Sequence, residues 1–527
     1  MLERVLLPLP QGEGDGLSGR YINRALSNPK GRATGDRKRM LTTRSIDAFS
    51  PAWEMALAVQ RREFSAVELL EAHLRRVERF DPTLNSIVVR DFENARRDAV
   101  AADARLRRGE SAPLLGIPVT VKESIDVAGL PSTAGVPDRR GHVAARDALT
   151  VKRLRSAGAI VFGKTNVCTW LADFTADNPV YGRTNNPFDL SRTPGGSSGG
   201  SASLAAGLTA LDLGSDLGGS LRVPAAFCGL WGHRPSEPAV PNSGHFPGSS
   251  LPNAAAVMAI QGPQARSALD LELALDVIGG PDVGMDVGWR LHLPPARHDR
   301  LADFRIGILP AQPWLAVDSQ IQLALERLAD ELSRAGAQVG SAQPSELDLA
   351  ESYCLFRTMM AVMVSCRWPP ERRAEVAALK RASGERFQAA EARGLMASAS
   401  DYLIWHEQRE TCRAAWRQFF GEFDLLLTPA TLAPAFEHTD VPPAQRKLTI
   451  EGREMEFDYT SFYPGLANLP GHPATAFPFG MSDGGLPLGL QATGPFMEDR
   501  TPIRFAQLIE QEFGGFLAPP GYSGELP

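Results

Sequence analysis

The chain has 527 residues, of which 43% are hydrophobic and 22% charged, and its formal net charge is −6 at pH 7. These values are typical of globular proteins, which excludes a fibrous or disordered chain and predicts a sizeable hydrophobic core. The sequence has no dense basic stripe, which excludes nucleic acid as a partner.

Five cysteines are scattered along the sequence without a C-x-x-C pair. An odd, sparse set of cysteines is typical of reduced thiols and predicts a cytoplasmic protein. The sequence contains no uninterrupted apolar run of about 18 residues, and its start lacks the apolar segment of a secretory signal. We therefore expect neither export nor a membrane partner.

Residues 1–40 are rich in glycine, arginine and proline and lack a sustained helical or strand period, which predicts disorder. Acidic residues in this segment argue against a transit peptide. We interpret Met40 as the true start of the protein, and a regulatory tail is the alternative. Residues 41–527 are predicted to form a single domain.

The first clear helix is predicted to begin at Ser65, which forms an S-x-x-E capping box with Glu68, and to end at Pro82. Strand patterns follow within residues 116–125 and 159–163, and a helical pattern lies between them. A strand, a crossover helix and a second strand in this order favour parallel pairing within an α/β layer.

Further strands are predicted within residues 209–216, 304–310, 424–430 and 473–480. Helical patterns cover residues 318–336, 351–420 and 501–515. No internal repeat of about 20–50 residues is evident, which excludes solenoids and propellers. The sequence therefore predicts an α/β fold with a large mixed β-sheet covered by helices on both sides.

Residues 194–234 contain two loops rich in glycine and serine, where the backbone can approach a ligand closely. Bordering apolar runs disfavour a flexible linker. The absence of GxxxxGK[ST] and of a lysine in the loop disfavours a phosphate site. Residues 195–199 also match GxSxG, the nucleophile elbow of histidine-dependent hydrolases. That alternative requires one of the downstream histidines, His233, His245, His406, His438 or His472.

The second loop reads GSDLGGSLRVPAAFCG over residues 214–229. It resembles the pattern G-[ST]-D-x-G-G-S-[IL]-R-x-P-A-x-x-C-G of the amidase signature family. That family also has a strand that ends in lysine, G-[IVT]-P-[VIF]-x-[VIL]-K-[DE], which is here GIPVTVKE. The motifs GKTN, GRTNNP, LLLTPA, GLANLPGHPA and LPLGLQATGP extend the resemblance over about residues 50–515.

The resemblance implies an amidase that hydrolyses a carboxamide to a carboxylate and ammonia or an amine. Ser220 would be the nucleophile, Lys122 would be the base, and Ser197 would relay the proton of Ser220 to Lys122. The peptide bond between Gly196 and Ser197 would be cis. Backbone N–H groups would form the oxyanion hole, and two side chains would support the loops. These residues are Leu217, Gly218, Gly219 and Ser220 for the hole and Asp216 and Arg222 for support.

The chemistry of an amide requires an activated nucleophile, a proton for the leaving nitrogen and donors for the oxyanion. Lysine acts as a base only when neutral, so burial must lower the pKa of Lys122 towards about 7–8. Ser197 and Ser220 are one residue closer in sequence than the family pattern. We expect the missing residue to fall in the helix between the loops and to leave the chemistry intact.

The resemblance implies no metal or organic cofactor and a small-molecule amide substrate. It places specificity in a variable region of about residues 280–460, and an aliphatic, aryl or cyclic amide all remain open. A homodimer is compatible with the sequence. Two alternatives also stay open: a glutamine-hydrolysing subunit of a tRNA-dependent amidotransferase, and a non-catalytic scaffold that retains the fold.

Overall fold

The computed structural model describes residues 46–245 and 251–522. The extension predicted over residues 1–40 lies outside the described residues. The β-strands are β1 Ile87–Arg90, β2 Pro118–Lys122, β3 Ile160–Thr165, β4 Asp177–Asn178, β5 Gly182–Arg183, β6 Leu211–Asp216, β7 Trp231–Arg234, β8 Ile260–Ala265, β9 Arg305–Ile308, β10 Gln338–Ser341, β11 Leu425–Pro429, β12 Lys447–Ile450, β13 Arg453–Glu456, β14 Ala474–Met481 and β15 Pro487–Thr493.

The α-helices alternate with these strands in the first part of the chain and cluster between β10 and β11. They are α1 Ala52–Gln60, α2 Ala66–Leu84, α3 Phe92–Arg107, α4 Leu149–Ser156, α5 Gly200–Ala205, α6 Arg222–Phe227, α7 Ala268–Ile278, α8 Ser319–Arg334, α9 Leu349–Ser365, α10 Pro370–Ala382, α11 Arg386–Leu395, α12 Ala399–Glu422, α13 Phe462–Asn468 and α14 Arg500–Phe513. The helical region predicted over residues 351–420 is thus confirmed as α9–α12. None of the helices in the described ranges is long and apolar enough to cross a membrane.

Eleven strands form one mixed sheet in the order β1-β3-β2-β6-β8-β7-β14-β15-β11-β9-β10. Strand β2 pairs in parallel with β3 and with β6, which confirms the predicted parallel layer. Strand β8 runs antiparallel to β6, so the sheet is mixed. Every residue of β2, β3, β6, β8 and β15 is buried, because helices cover both faces of the central sheet. The predicted α/β architecture is confirmed.

Helix α2 begins as predicted, because the Ser65 side chain accepts from the Glu68 N–H and Glu68 accepts from the Ser65 N–H. The predicted end at Pro82 is wrong, since the helix continues to Leu84. A proline in the last turn removes only one backbone donor, and the fully buried Leu84 side chain offsets that cost. The helix ends at Asn85, which adopts the left-handed conformation with φ 53°.

Candidate active site

Lys122 is the last residue of β2, and its side chain is completely buried. Its Nζ lies 2.8 Å from Ser197 Oγ and 3.1 Å from Ser215 Oγ. Burial lowers the pKa of Lys122 to about 8, although the negative charges of Asp216 and Asp212 oppose this shift. A lysine with this pKa is neutral in about a tenth of the molecules at pH 7 and in about half at pH 8, so it can accept a proton.

Ser197 and Ser220 complete a chain of hydrogen bonds that starts at Lys122. Ser197 Oγ donates to Ser220 Oγ at 3.0 Å. The peptide bond between Gly196 and Ser197 is cis, as the resemblance implies. The fold therefore brings together three side chains separated by 75 and 23 residues in sequence. The shortened spacing between the two serine loops does not prevent this contact.

Close packing explains why both loops need glycine. A Cβ atom on Gly196 would lie 2.0 Å from the carbonyl oxygen of Thr175, a distance that no side chain can tolerate. Gly219 has φ +118° and would place a Cβ atom 2.7 Å from Pro464 Cγ. The two glycines let the serine loops pack directly against neighbouring chain segments.

Asp216 and Arg222 form a fully buried ion pair at the base of the Ser220 loop, with 3.1 Å between Arg222 Nη2 and Asp216 Oδ1. Asp216 also accepts from the N–H groups of Gly219 at 2.8 Å and Leu221 at 3.2 Å. Burial acts to raise the pKa of Asp216, but the Arg222 charge and hydrogen bonds hold it well below its ordinary value. Asp216 therefore holds two backbone N–H groups of the loop directly, and Arg222 is linked to the loop through Asp216.

Replacing Asp216 with asparagine preserves the size of the side chain but removes the charge that compensates Arg222. We expect the variant to lose about 3–5 kcal/mol of unfolding free energy, because a buried guanidinium is left uncompensated. Urea unfolding followed by circular dichroism measures this loss. Asp189→Asn, which breaks a part-exposed pair with Arg192, serves as the control and should cost less than about 1 kcal/mol. Equal losses would contradict the proposed supporting role.

The backbone N–H groups of the Ser220 loop differ in whether they already donate a hydrogen bond. The N–H of Gly219 donates to Asp216, so it is already used in this structure. Within the described ranges, the N–H groups of Leu217, Gly218 and Ser220 donate to no acceptor. Of the four donors that the resemblance implies, only these three are therefore available to an oxyanion.

Two buried histidines that could serve the alternative elbow mechanism bond to residues other than the two serines. His233 contacts Thr475 Oγ1 at 2.9 Å and Asp499 Oδ1 at 3.3 Å. His472 contacts the carbonyl oxygen of Gly494 at 3.0 Å. In the described part of the chain, no histidine forms a hydrogen bond with Ser197 or Ser220. The geometry therefore favours lysine over histidine as the partner of the serines.

A cavity of about 810 Å³ opens at Ser220. Its walls include Leu217 and Gly218 of the serine loop, the segment 168–175, and residues of α9, α10 and α11. A cavity of this size accommodates a small organic molecule. Across residues 46–245 and 251–522, no group of three or more His, Cys, Asp or Glu side chains is placed to hold a metal ion.

Sequence reasoning did not single out several side chains that complete the site. Ser215 contacts Lys122, while Asn468 and Gln491 hold the Arg222 guanidinium. Asn468 lies in the motif GLANLPGHPA and Gln491 in LPLGLQATGP. The resemblance thus included both residues but implied no role for either of them. The cavity residues of α9–α11 have no recognisable motif.

The fold and site define an α/β protein in which a buried lysine contacts Ser197, and Ser197 contacts Ser220 at the end of a substrate-sized cavity. Residues 68–502 match the Amidase family, to which the chain belongs. The chain is 32% identical to an indoleacetamide hydrolase from Bradyrhizobium diazoefficiens over 481 residues, covering 88% of this chain and 87% of that protein.

Two further relatives cover the same part of the chain. A glutamyl-tRNA(Gln) amidotransferase subunit from Thermus thermophilus is 35% identical over 483 residues, covering 87% of this chain and 96% of the relative. The crystal structure of a bacterial aryl acylamidase of the amidase signature family superimposes with a TM-score of 0.73 and 26% identity, covering 88% of this chain and 96% of the other. The protein is an amidase, an enzyme that hydrolyses amide bonds.

Proposed function

We propose that this amidase works through an acyl-enzyme on Ser220, with Ser197 and Lys122 as the proton relay. Ser220 Oγ attacks the amide carbonyl and passes its proton to Ser197 Oγ, whose own proton moves to neutral Lys122 Nζ. The contacts of 2.8 and 3.0 Å along this chain carry the proposal. Both distances allow direct proton transfer once the hydroxyls rotate, so that Ser220 donates to Ser197 and Ser197 donates to neutral Lys122.

The tetrahedral intermediate places a negative charge on the former carbonyl oxygen. The N–H groups of Leu217, Gly218 and Ser220 are the donors we assign to it, since the N–H of Gly219 is held by Asp216. Collapse of the intermediate breaks the C–N bond, and the Lys122 ammonium returns its proton through Ser197 to the leaving nitrogen. Water then attacks the ester, which releases the carboxylate and restores Ser220.

Labelling with a fluorophosphonate tests this proposal, because the probe forms a covalent bond only with an activated serine. We expect mass spectrometry to find one label per chain on the peptide that contains Ser220. Ser203→Ala, which removes a hydroxyl that bonds only to Gly200 within α5, should label at the parent rate. A label on another serine, or none at all, would refute the assignment.

The alternative function is that of a glutamine-hydrolysing subunit, which the Thermus thermophilus relative suggests by its name. This function would require partner subunits that receive the ammonia. Hydrolysis of a simple amide by the purified chain, with glutamine left intact, would favour the free amidase. The buried charges of the cavity at Ser220 are paired with one another, which is a physical reason to expect that result, because glutamine carries both an ammonium and a carboxylate.

We further propose that the protein is cytoplasmic and acts on a small-molecule amide. All five cysteines are free, and four of them are buried. Unpaired cysteines are typical of a reducing compartment.

A further inference from the structure

One face of α9 forms a wall of the cavity at Ser220. Arg357, Met360, Ala361 and Val364 line the cavity at the spacing of a single helical face. Met360 lies against the Ser220 loop, because its Sδ is only 3.4 Å from where a Cβ on Gly218 would be. Arg357 is therefore one helical turn from a residue that contacts the reactive loop.

Arg357 belongs to a group of four cavity residues with alternating charge, which we call the charge ring: Arg357, Glu391, Lys380 and Asp458. Arg357 and Lys380 each contact Glu391. They also lie 2.7 Å and 3.8 Å, respectively, from the Asp458 carboxylate. The four side chains are only 6–13% exposed, and their two positive and two negative charges cancel.

The other charged residues that line the cavity are also compensated or exposed. Asp173 lies 2.8 Å from Arg446, and Asp177 lies 2.8 Å from Arg183. Arg372 is exposed, and its guanidinium lies 4.4 Å from the centre of the Trp368 ring. The remaining charged group, Asp440, has a side chain that is 94% exposed. Among the described residues, each buried charge that lines the cavity thus faces an opposite charge.

We propose that the charge ring selects uncharged amides and rejects amides that carry a carboxylate or an ammonium group. This inference rests on the proposed function of Ser220. A charged substrate would have to break a pair in the ring or lie uncompensated beside apolar side chains, and both are costly. The apolar part of the substrate would contact Leu217, Met360 and Val364, with Phe174 and Phe457 on the other walls.

Two amides of nearly equal shape test the proposal in the parent enzyme: the neutral 3-(4-nitrophenyl)propanamide and the anionic 3-(4-carboxyphenyl)propanamide, because a nitro group and a carboxylate have the same size and planar geometry. We expect kcat/KM to be at least about 30-fold higher for the neutral amide, because the buried cations that line the cavity are already paired with carboxylates. Comparable values for the two amides would overturn the proposal. So would preference for the carboxylate.

A variant of the ring separates selection by charge from a fit by shape alone. Glu391→Gln removes one negative charge and leaves Arg357 and Lys380 to share Asp458, so the ring becomes positive. We expect the ratio of kcat/KM between the neutral and the anionic amide to fall at least about tenfold. Because both substrates meet the same protein preparation, a partial loss of folded enzyme cancels in the ratio.

The control is Glu351→Gln, the same change on the first turn of α9. The Glu351 side chain is 66% exposed, pairs with Arg386 and lies outside the cavity. It should leave the ratio within about twofold of the parent, since exposed charges are screened by solvent. An unchanged ratio in Glu391→Gln, or an equal change in both variants, would overturn the role of the ring.

Labelling of Ser220 by the fluorophosphonate distinguishes failure of this inference from failure of the proposed function. If Ser220 is labelled but the two amides are hydrolysed equally, the ring does not select and the function stands. If Ser220 is not labelled, the proposed function itself fails. Protection of Ser220 by each amide repeats the comparison without turnover, and we expect the neutral amide alone to protect.

Discussion

Replacing Ser220 with alanine is expected to lower kcat for amide hydrolysis by at least about 10⁴-fold, because the variant has no oxygen to form the acyl-enzyme. The fold should be retained. The lost hydroxyl accepts a single side-chain hydrogen bond, from Ser197, at a position that is 8% exposed, so the cost in unfolding free energy is about 1 kcal/mol. Steady-state hydrolysis of 3-(4-nitrophenyl)propanamide and the melting temperature measure the two effects.

Ser198→Ala provides a matched control for Ser220→Ala. Ser198 is buried in the neighbouring loop, but its hydroxyl contacts only the carbonyl oxygen of Ser215, at 3.4 Å. We expect this variant to keep kcat within about tenfold of the parent. A folded Ser220→Ala protein with full activity would remove Ser220 from the mechanism. A Ser198→Ala variant as inactive as Ser220→Ala would move the nucleophile to the other loop.

The fold and the contacts between Lys122, Ser197 and Ser220 were accessible from sequence because they depend on local patterns. A buried strand that ends in Lys122 and glycine-flanked loops around Ser197 and Ser220 each leave a continuous motif. Burial of the strand end also made a lowered pKa of Lys122 predictable, and the structure gives it a cause.

The selective wall of the cavity could not be predicted in the same way. Arg357, Lys380, Glu391 and Asp458 come from three α-helices and a distant 3-10 helix, and nothing in their local sequence indicates that they meet. Their pairing depends on how α10 and α11 pack against α9, which is a property of the tertiary structure. The hydrogen bond from the Gly219 N–H to Asp216 could not be predicted for the same reason, because it depends on the path of the loop.

The pH dependence of the reaction tests Lys122 as the base. Neutral lysine is the form that accepts a proton, so activity should be lost as Lys122 becomes protonated. With a pKa of about 8 for Lys122, we expect kcat/KM to fall tenfold per pH unit below about pH 8 and to stay high at alkaline pH. Initial rates at low substrate concentration between pH 6 and about pH 10 measure this profile.

Substitution of Lys122 then decides whether that profile belongs to it, because the buried Lys164 also has a pKa of about 8. Lys164 pairs with Val121 rather than Lys122 in the sheet register, and its Nζ contacts the carbonyl oxygen of Pro131. We expect Lys122→Ala to lose about 10²–10⁴-fold in kcat/KM, and Lys122→Arg to fail as well, because a guanidinium keeps its proton. Lys164→Met should retain the alkaline pH profile of kcat/KM in whatever fraction of the protein folds. The pH profile should also be unchanged by single replacement of each of five histidines: His233, His245, His406, His438 and His472. An active Lys122→Ala beside an inactive histidine variant would replace the lysine mechanism with a histidine-dependent one.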